Sequence, residues 1–412
     1  MILVFITLVA KAAEVDTRTA IFNPAFKTLQ TFVNGSDQLP PVIMMGSNDV
    51  LTISFDELAG DRRYMRYSLM HCNALWQPDR MLPTEYVEGF NEGFVEKYSY
   101  SQATLVQYVH YEIEIPDPQM QIKLSGNYLL RVYDESDPET TLLQVRFSVA
   151  EPTMEARATV TSRTDVDTNR SHQQLTVAVD TRTLNMNNVM TDVIIVVSQN
   201  SRPDTETALN TPTRIAGTVA WWEHTPALIF PAGNEYRRME VISTTYPGMG
   251  VESISYNDPL YHFQLHTDAP RADRPYSFDS TQKGRFRIRE YNSDSPEVEA
   301  DYVMVHFALD IPPLRHGDVF IDGDLGLRRY SPETMMVFNR ATGLYEAAML
   351  LKQGAYNYQY VTVPSGSLKG DAAQIEGNFY QTANEYLVKV YYREPGARYD
   401  RLVAVTSVTA GI

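Results

Sequence analysis

The chain is predicted to be all-β, folded as three consecutive β-sandwich domains. Two observations carry this. Apolar and polar residues alternate with period two through many short runs, as in Leu51, Ile53 and Phe55 against Thr52, Ser54 and Asp56. Turn formers punctuate those runs: 23 Pro and 21 Gly are spread along 412 residues, which predicts many short strands rather than long elements. No stretch shows a helical period of comparable length.

The first domain is assigned to residues 14–150. Residues 19–22 and 28–33 read as strands, with Asn34-Gly35 as the turn that follows. Pro40-Pro41 opens the apolar run 42–45, and a half-buried strand covers 51–56. Tyr64, Arg66, Ser68 and Met70 then alternate with Met65, Tyr67, Leu69 and His71, another strand. It runs into a dense aromatic and polar stretch, residues 71–94. This stretch breaks at Pro78 and continues through Leu82-Pro83, Glu85-Tyr86 and Gly89-Phe90. A long insertion of this composition has two compatible readings. It closes the open end of the sandwich over its core, and it presents a surface. Tyr108, His110 and Glu112 alternating with Val109, Tyr111 and Ile113 make a further strand. Residues 128–133 and 143–149 supply the last two.

The second domain is assigned to residues 151–309. Leu175, Val177 and Val179 mark a strand, and 193–197 is a continuous apolar run, hence a fully buried one. Trp221 and Trp222 are strand neighbours on opposite faces, so at most one meets a ligand and packing is the expectation. Arg285, Arg287 and Arg289 share one strand face, for which cross-strand acidic partners are expected. The third domain, 310–412, opens at Ile311-Pro312-Pro313. It has strands expected at 319–321, 334–339, 345–351, 356–363, 385–392 and 401–408. Gly354-Ala355-Tyr356-Asn357-Tyr358 resembles the G-x-Y-x-Y strand of early-set immunoglobulin-like domains, including some carbohydrate-binding modules.

Charge and motifs narrow the function. With 51 acidic against 35 basic residues and a net charge of −16, the chain lacks the basic stripe of a nucleic-acid binder and is repelled by anionic lipid. Its single cysteine, Cys72, forms no internal disulfide and reads as a small core residue. Residues 1–13 hold an apolar run ending at Ala10-Lys11-Ala12, which reads as a secretory signal peptide lacking the usual basic start. Export to the periplasm is expected, with no transmembrane helix. There is no G-x-S-x-G, H-E-x-x-H, G-x-x-x-x-G-K-[ST] or G-x-G-x-x-G. His262 and His266 are four apart without a third ligand nearby. No catalytic residue, metal or cofactor is therefore expected.

Several motifs occur together: Gly46-Ser47-Asn48-Asp49, Phe55-Asp56-Glu57-Leu58, Tyr67-Ser68-Leu69-Met70-His71-Cys72-Asn73-Ala74, Trp76-Gln77-Pro78, Glu85-Tyr86-Val87-Glu88-Gly89-Phe90 and Ser125-Gly126-Asn127-Tyr128-Leu129-Leu130. The combination resembles the plug-protein family of the type IX secretion system of Bacteroidota, most densely in residues 20–150. Leu75 departs from it, standing where an acidic residue is expected. The resemblance implies a periplasmic, non-enzymatic protein peripheral to the outer membrane. It would close the periplasmic mouth of a very large β-barrel translocon, with the barrel's shuttle protein at most an indirect partner. The expected contact residues are Arg62, Arg63, His71, Asn73, Trp76, Gln77, Pro78, Tyr86, Phe90, Asn91, Phe94, Tyr108, His110 and Tyr111. An exported carbohydrate-binding sandwich protein is the alternative. Cargo of the same pathway is disfavoured, because residues 405–412 read as the end of a domain strand.

Overall fold

A computed structural model describes residues 16–184 and 188–411. The expected signal peptide, 1–13, lies outside the described residues. The described residues are all-β, with only single helical turns between strands.

The first sandwich packs two antiparallel-rich sheets. One runs in the order Ala20–Ile21, Asp137–Ala150, Gly126–Asp134, Met65–Cys72, Gly93–Phe94, with Val42–Met44 pairing in parallel on Asp137–Ala150. The other runs Phe26–Val33, Leu51–Glu57, Val109–Ile115, Lys97–Tyr100. Alternation sets which side chains meet. Met65, Tyr67 and Leu69 are buried while Arg66, Ser68 and Met70 are half-buried. Register does the rest: Leu130 sits opposite Leu69 on one side and Val145 on the other. Phe26, Phe55, Tyr111, Tyr128 and Phe147 fill the space between the sheets.

The second sandwich is not contiguous in sequence. One sheet is Glu155–Thr161, His172–Asp180, Val219–Trp222 and Arg214–Ala216, with Ile229–Pro231 at the side. The other is Thr207–Leu209, Val193–Gln199, Glu385–Tyr392 and Arg401–Thr409. Val390 lies opposite Ile195, so the last two strands of the chain complete the second core rather than the third. The third unit is inserted between Pro231 and Glu385. Nine strands, including Arg237–Glu240, Val251–Asn257, Leu260–Leu265, Phe286–Ile288 and Tyr302–Leu309, form one sheet. That sheet folds over on itself, which brings Phe307 edge-on to Tyr358 with ring centroids 5.3 Å apart. The boundary expected at 309/310 is thus corrected. The period of a strand specifies its faces, not its partner.

Each unit touches both others. Val42, Ala74 and Ala150 of the first meet Val196, Tyr391 and Leu402 of the second in a small apolar cluster. Tyr391 donates its hydroxyl to Asn127 Oδ1 at 2.7 Å across that junction. Arg285 of the third pairs with Glu385 of the second at 2.9 Å, and Arg287 pairs with Asp37 of the first at 2.8 Å. The cross-strand partners expected for these arginines are therefore replaced by acids from neighbouring units.

Candidate functional site: an aromatic edge on the first sandwich

The 71–94 stretch is built from hydrogen-bonded turns. Asn73 Oδ1 accepts from the backbone N–H of Leu75 at 2.9 Å and of Gln77 at 3.0 Å, and Asn73 N–H donates to Gln77 O at 2.9 Å. This tight turn holds Trp76 in the left-handed region, with φ 63°. Its indole is turned inward beneath Arg146, whose guanidinium lies 4.3 Å from the ring centroid. Gln77 and Pro78 stay on the surface. Pro83 starts a single helical turn, Pro83–Tyr86, and the Glu85 carboxylate accepts from Leu82 N–H at 2.7 Å. The turn drives Tyr86 into the core, where its hydroxyl donates to Leu69 O at 3.0 Å.

Beyond Tyr86 the chain turns outward. Gly89 has φ 93°, and a Cβ there would stand 2.2 Å from Gln119 O, so only glycine fits. Phe90 follows, 79 % exposed. Asn91 then takes the place of a strand partner. Its amide donates to Leu69 O at 2.8 Å and its oxygen accepts from Leu69 N–H at 3.0 Å. That lets the short Gly93–Phe94 strand pair with Arg66 and Tyr67 and leaves its far edge open.

A strip of aromatic and cationic side chains results. Phe94 is half exposed and carries the Arg66 guanidinium 4.5 Å over its ring. Arg66 is held by Glu135 at 2.6 Å and Glu92 at 3.2 Å. Tyr64 lies two residues away on the same face of the chain, with Arg62 4.2 Å above it; Arg62 also reaches Tyr98 at 4.7 Å. Tyr98 meets Tyr100 edge-on at 5.7 Å. Lys97–Tyr100 is likewise an edge strand. Two open edges lined with tyrosine, phenylalanine and arginine suit macromolecular contact: these residue types dominate interface hot spots, and open edges offer unpaired backbone groups.

The expected contact residues separate on this geometry. Arg62, Gln77, Pro78, Phe90 and Phe94 are on the surface or at the strip, and Asn73 and Asn91 are half-buried organisers of the backbone. Arg63 is tied inward, to Glu57 at 2.6 Å and Asp134 at 2.8 Å. His71, Trp76, Tyr86, Tyr108, His110 and Tyr111 are buried and present no outer surface to a macromolecular partner. His71 is fixed by Asp79 at 2.6 Å and by Ser125 O at 3.0 Å. Tyr108 donates to Ala300 O at 2.8 Å, which places it between the first and third units. Both readings of the stretch therefore hold: Tyr86 closes the core and Phe90 leaves it. Sequence reasoning missed Tyr64, Arg66, Tyr98 and Tyr100. Their signal is the spacing of two that puts Tyr64 with Arg66, and Tyr98 with Tyr100, on one strand face.

The aromatics that a carbohydrate-binding protein would use for stacking are not free at these positions. Tyr356, Tyr358 and Tyr360 lie in the third core, Trp222 is fully buried, and Trp221 is covered by Arg214 at 4.6 Å. His262 pairs with His306 at 2.8 Å rather than approaching His266.

Residues 26–151 match the family model described as the type 9 secretion system plug protein first domain, and this span contains the whole strip. The chain belongs to the type 9 secretion system plug protein family. It is also similar along nearly its full length to a crystal structure of a hypothetical protein from Parabacteroides merdae. That match has 41 % identity and a TM-score of 0.94, and covers 96 % of this chain and 100 % of that one. A DNA-bound alkylpurine DNA glycosylase from Pseudomonas fluorescens matches 30 % of this chain and 29 % of its own. At 13 % identity and a TM-score of 0.18, it carries no argument. No curated protein matches. Membership of the plug family implies association with secretion-system components and a periplasmic or outer-membrane-associated place. No helix among the described residues is long and apolar enough to cross a membrane.

Proposed function

We propose that this protein binds and seals the periplasmic opening of the outer-membrane β-barrel translocon of the type IX secretion system, without enzymatic activity. The observation that supports this best is the exposed strip of Phe90, Phe94, Arg66, Tyr64 and Arg62, which lies inside the plug-family span. A plug needs a broad complementary surface, aromatic at its centre and polar at its rim. The strip supplies the centre, and Glu88, Glu92 and Glu96 stand around it as exposed acids. Such an edge on an exported protein is an aggregation hazard unless something covers it, and a barrel rim is the partner the family implies.

The test is affinity capture of tagged mature protein from detergent-solubilised outer membrane of a type IX-secreting bacterium, with mass spectrometry of the retained proteins. A very large barrel in roughly equal amount is expected, and Phe90→Glu with Phe94→Glu should release it. Absence of any barrel from the wild-type capture, together with binding to a glycan array, would sink the proposal.

A further inference from the structure

The three units leave a cavity of about 210 Å³ where they meet. Its wall carries six basic side chains, Arg18, Arg146, Arg285, Arg328, Arg329 and Lys389, against three acidic ones, Asp37, Glu206 and Asp324. That is the reverse of the chain as a whole. Four of the bases are paired with carboxylates. Arg285 is held by Glu385 at 2.9 Å and Arg328 by Asp324 at 2.7 Å, while Arg18 and Arg329 share Asp16 at 3.2 and 2.6 Å. Asp37 is already taken by Arg287.

Two cations remain. Lys389 Nζ donates to Ser148 Oγ at 2.9 Å, and no carboxylate among the described residues comes within ion-pair distance of it. Arg146 donates to the backbone oxygen and hydroxyl of Thr17, both at 2.8 Å; its nearest carboxylate, Glu206, stands 3.8 Å away. Both lie over the Trp76 ring, at 4.3 Å and 5.2 Å from its centroid. Among the described residues, Glu206 is thus the one carboxylate within ion-pair distance of either cation. Burial brings the Arg146 guanidinium down to about 10 and the Lys389 ammonium down to about 8, the direction of cations short of counter-charge. Leu29, Phe147 and Leu387 add apolar surface to the cavity wall. A dry cavity of about 150 Å³ accepts benzene, so this one has room for a ring that bears a charged group.

We infer that this cavity binds a small oxyanion-bearing organic molecule, a carboxylate or phosphate. Its charged group would sit between Arg146 and Lys389, and its body against Trp76. Entry is through an outer recess of about 280 Å³ that shares Arg18, Trp76, Arg146 and Glu206 with the cavity. Charge-assisted hydrogen bonds to both cations supply the attraction, strengthened by the low local dielectric. Trp76 and Arg146 belong to the first unit and Lys389 to the second, so an occupant ties these two units together.

The experiment is thermal unfolding and calorimetric titration of the mature protein with inorganic phosphate, citrate or benzoate, at ionic strength fixed with sodium chloride. A saturable rise in Tm with at least one of them is expected. Phosphate alone sufficing would make the charged group the determinant; benzoate exceeding phosphate would assign the body to Trp76. Lys389→Met should bind at least about tenfold more weakly, because a charge-assisted bond is lost. Its unliganded Tm should be no lower than that of wild type, because a desolvated charge is removed. Glu206→Gln, which removes the counter-charge, should tighten binding, and Arg157→Gln on the exposed surface should leave it unchanged. Failure of all three anions to bind saturably overturns the inference. So does binding that Lys389→Met leaves intact, or that Glu206→Gln fails to strengthen.

Discussion

Lys352 Nζ in the third unit lies 2.6 Å from Asp56 Oδ2 in the first, and both side chains are buried. Around this pair the Tyr302 hydroxyl donates to Asp56 at 2.7 Å, His110 Nδ1 meets Asp56 Oδ1 at 2.7 Å, and the Tyr108 ring lies 4.0 Å from the ammonium. Burial alone would raise the Asp56 carboxyl. The Lys352 charge and the His110 hydrogen bond outweigh it and hold the group below its ordinary range. The two units are thus joined by a fully satisfied ionic network rather than by an apolar seam.

Removing one partner strands the other. Asp56→Asn should destabilise by about 3–5 kcal/mol, the cost of a buried charge left without its mate. Asp56→Asn with Lys352→Met should cost less than the sum of the two single changes, by about 1 kcal/mol or more. Urea unfolding of the four proteins measures this; additive losses would show that the pair is not coupled.

His110 gives the network a pH dependence. Burial lowers its affinity for a proton, but hydrogen bonds to Asp56 and Glu112 more than compensate, so its folded pKa stands above the ordinary 6.5. Its contribution is therefore complete below 6.5 and is lost as pH rises through the higher folded value. Stability should fall across that window with a slope of at most about 1.4 kcal/mol per pH unit. His110→Gln should flatten the slope. A variant whose stability tracks wild type at every pH from 6 to 9 would contradict the assignment.

Exposure separates two aromatics of the same stretch. Trp76 is 6 % exposed and Phe90 79 %. Trp76→Ala should cost about 3–5 kcal/mol through the cavity it leaves. Phe90→Ala should change stability by about 0.5 kcal/mol or less, as surface changes do. Capture of the barrel should respond in the opposite order, with Phe90→Ala weakening it while the fold stays intact. Equal stability losses for the two would mean that Phe90 is packed, not presented.

That contrast shows what was legible in the sequence. Period-two alternation placed the Met65–Cys72 strand with its buried face, and it placed the Leu51–Glu57 strand, because burial of one face is written in residue type. It did not show that the second face of Leu51–Glu57 is covered as well, with Ser54 and Asp56 buried where half-exposure was expected. The destination of the Glu385–Tyr392 strand was not legible either. Tyr386, Val388 and Val390 alternate like any other strand, and their partner Val193–Gln199 lies some 190 positions earlier. Within 71–94, composition marked the right neighbourhood but not the right side chains. Trp76 is turned inward by the Asn73 turn and Tyr86 by the Pro83 turn, while Phe90 is turned outward by Gly89. Those directions are set by backbone hydrogen bonds, which leave only faint traces in residue type.

Cys72 reports on the same region. It is fully buried against Trp76 and Leu129, and burial, with the Asp79 charge added, pushes its thiol up to about 12. Only the thiolate alkylates, so the native protein should resist iodoacetamide at pH 8 and react at once in urea. Because Trp76 covers the thiol, Trp76→Ala should speed native-state labelling well before global unfolding is detectable, whereas Phe90→Ala should leave the rate unchanged. Mass spectrometry of the alkylated chain over time gives both rates. Rapid labelling of the wild-type protein under native conditions would mean that the Asn73 turn opens on its own, and that Trp76 spends time at the surface after all.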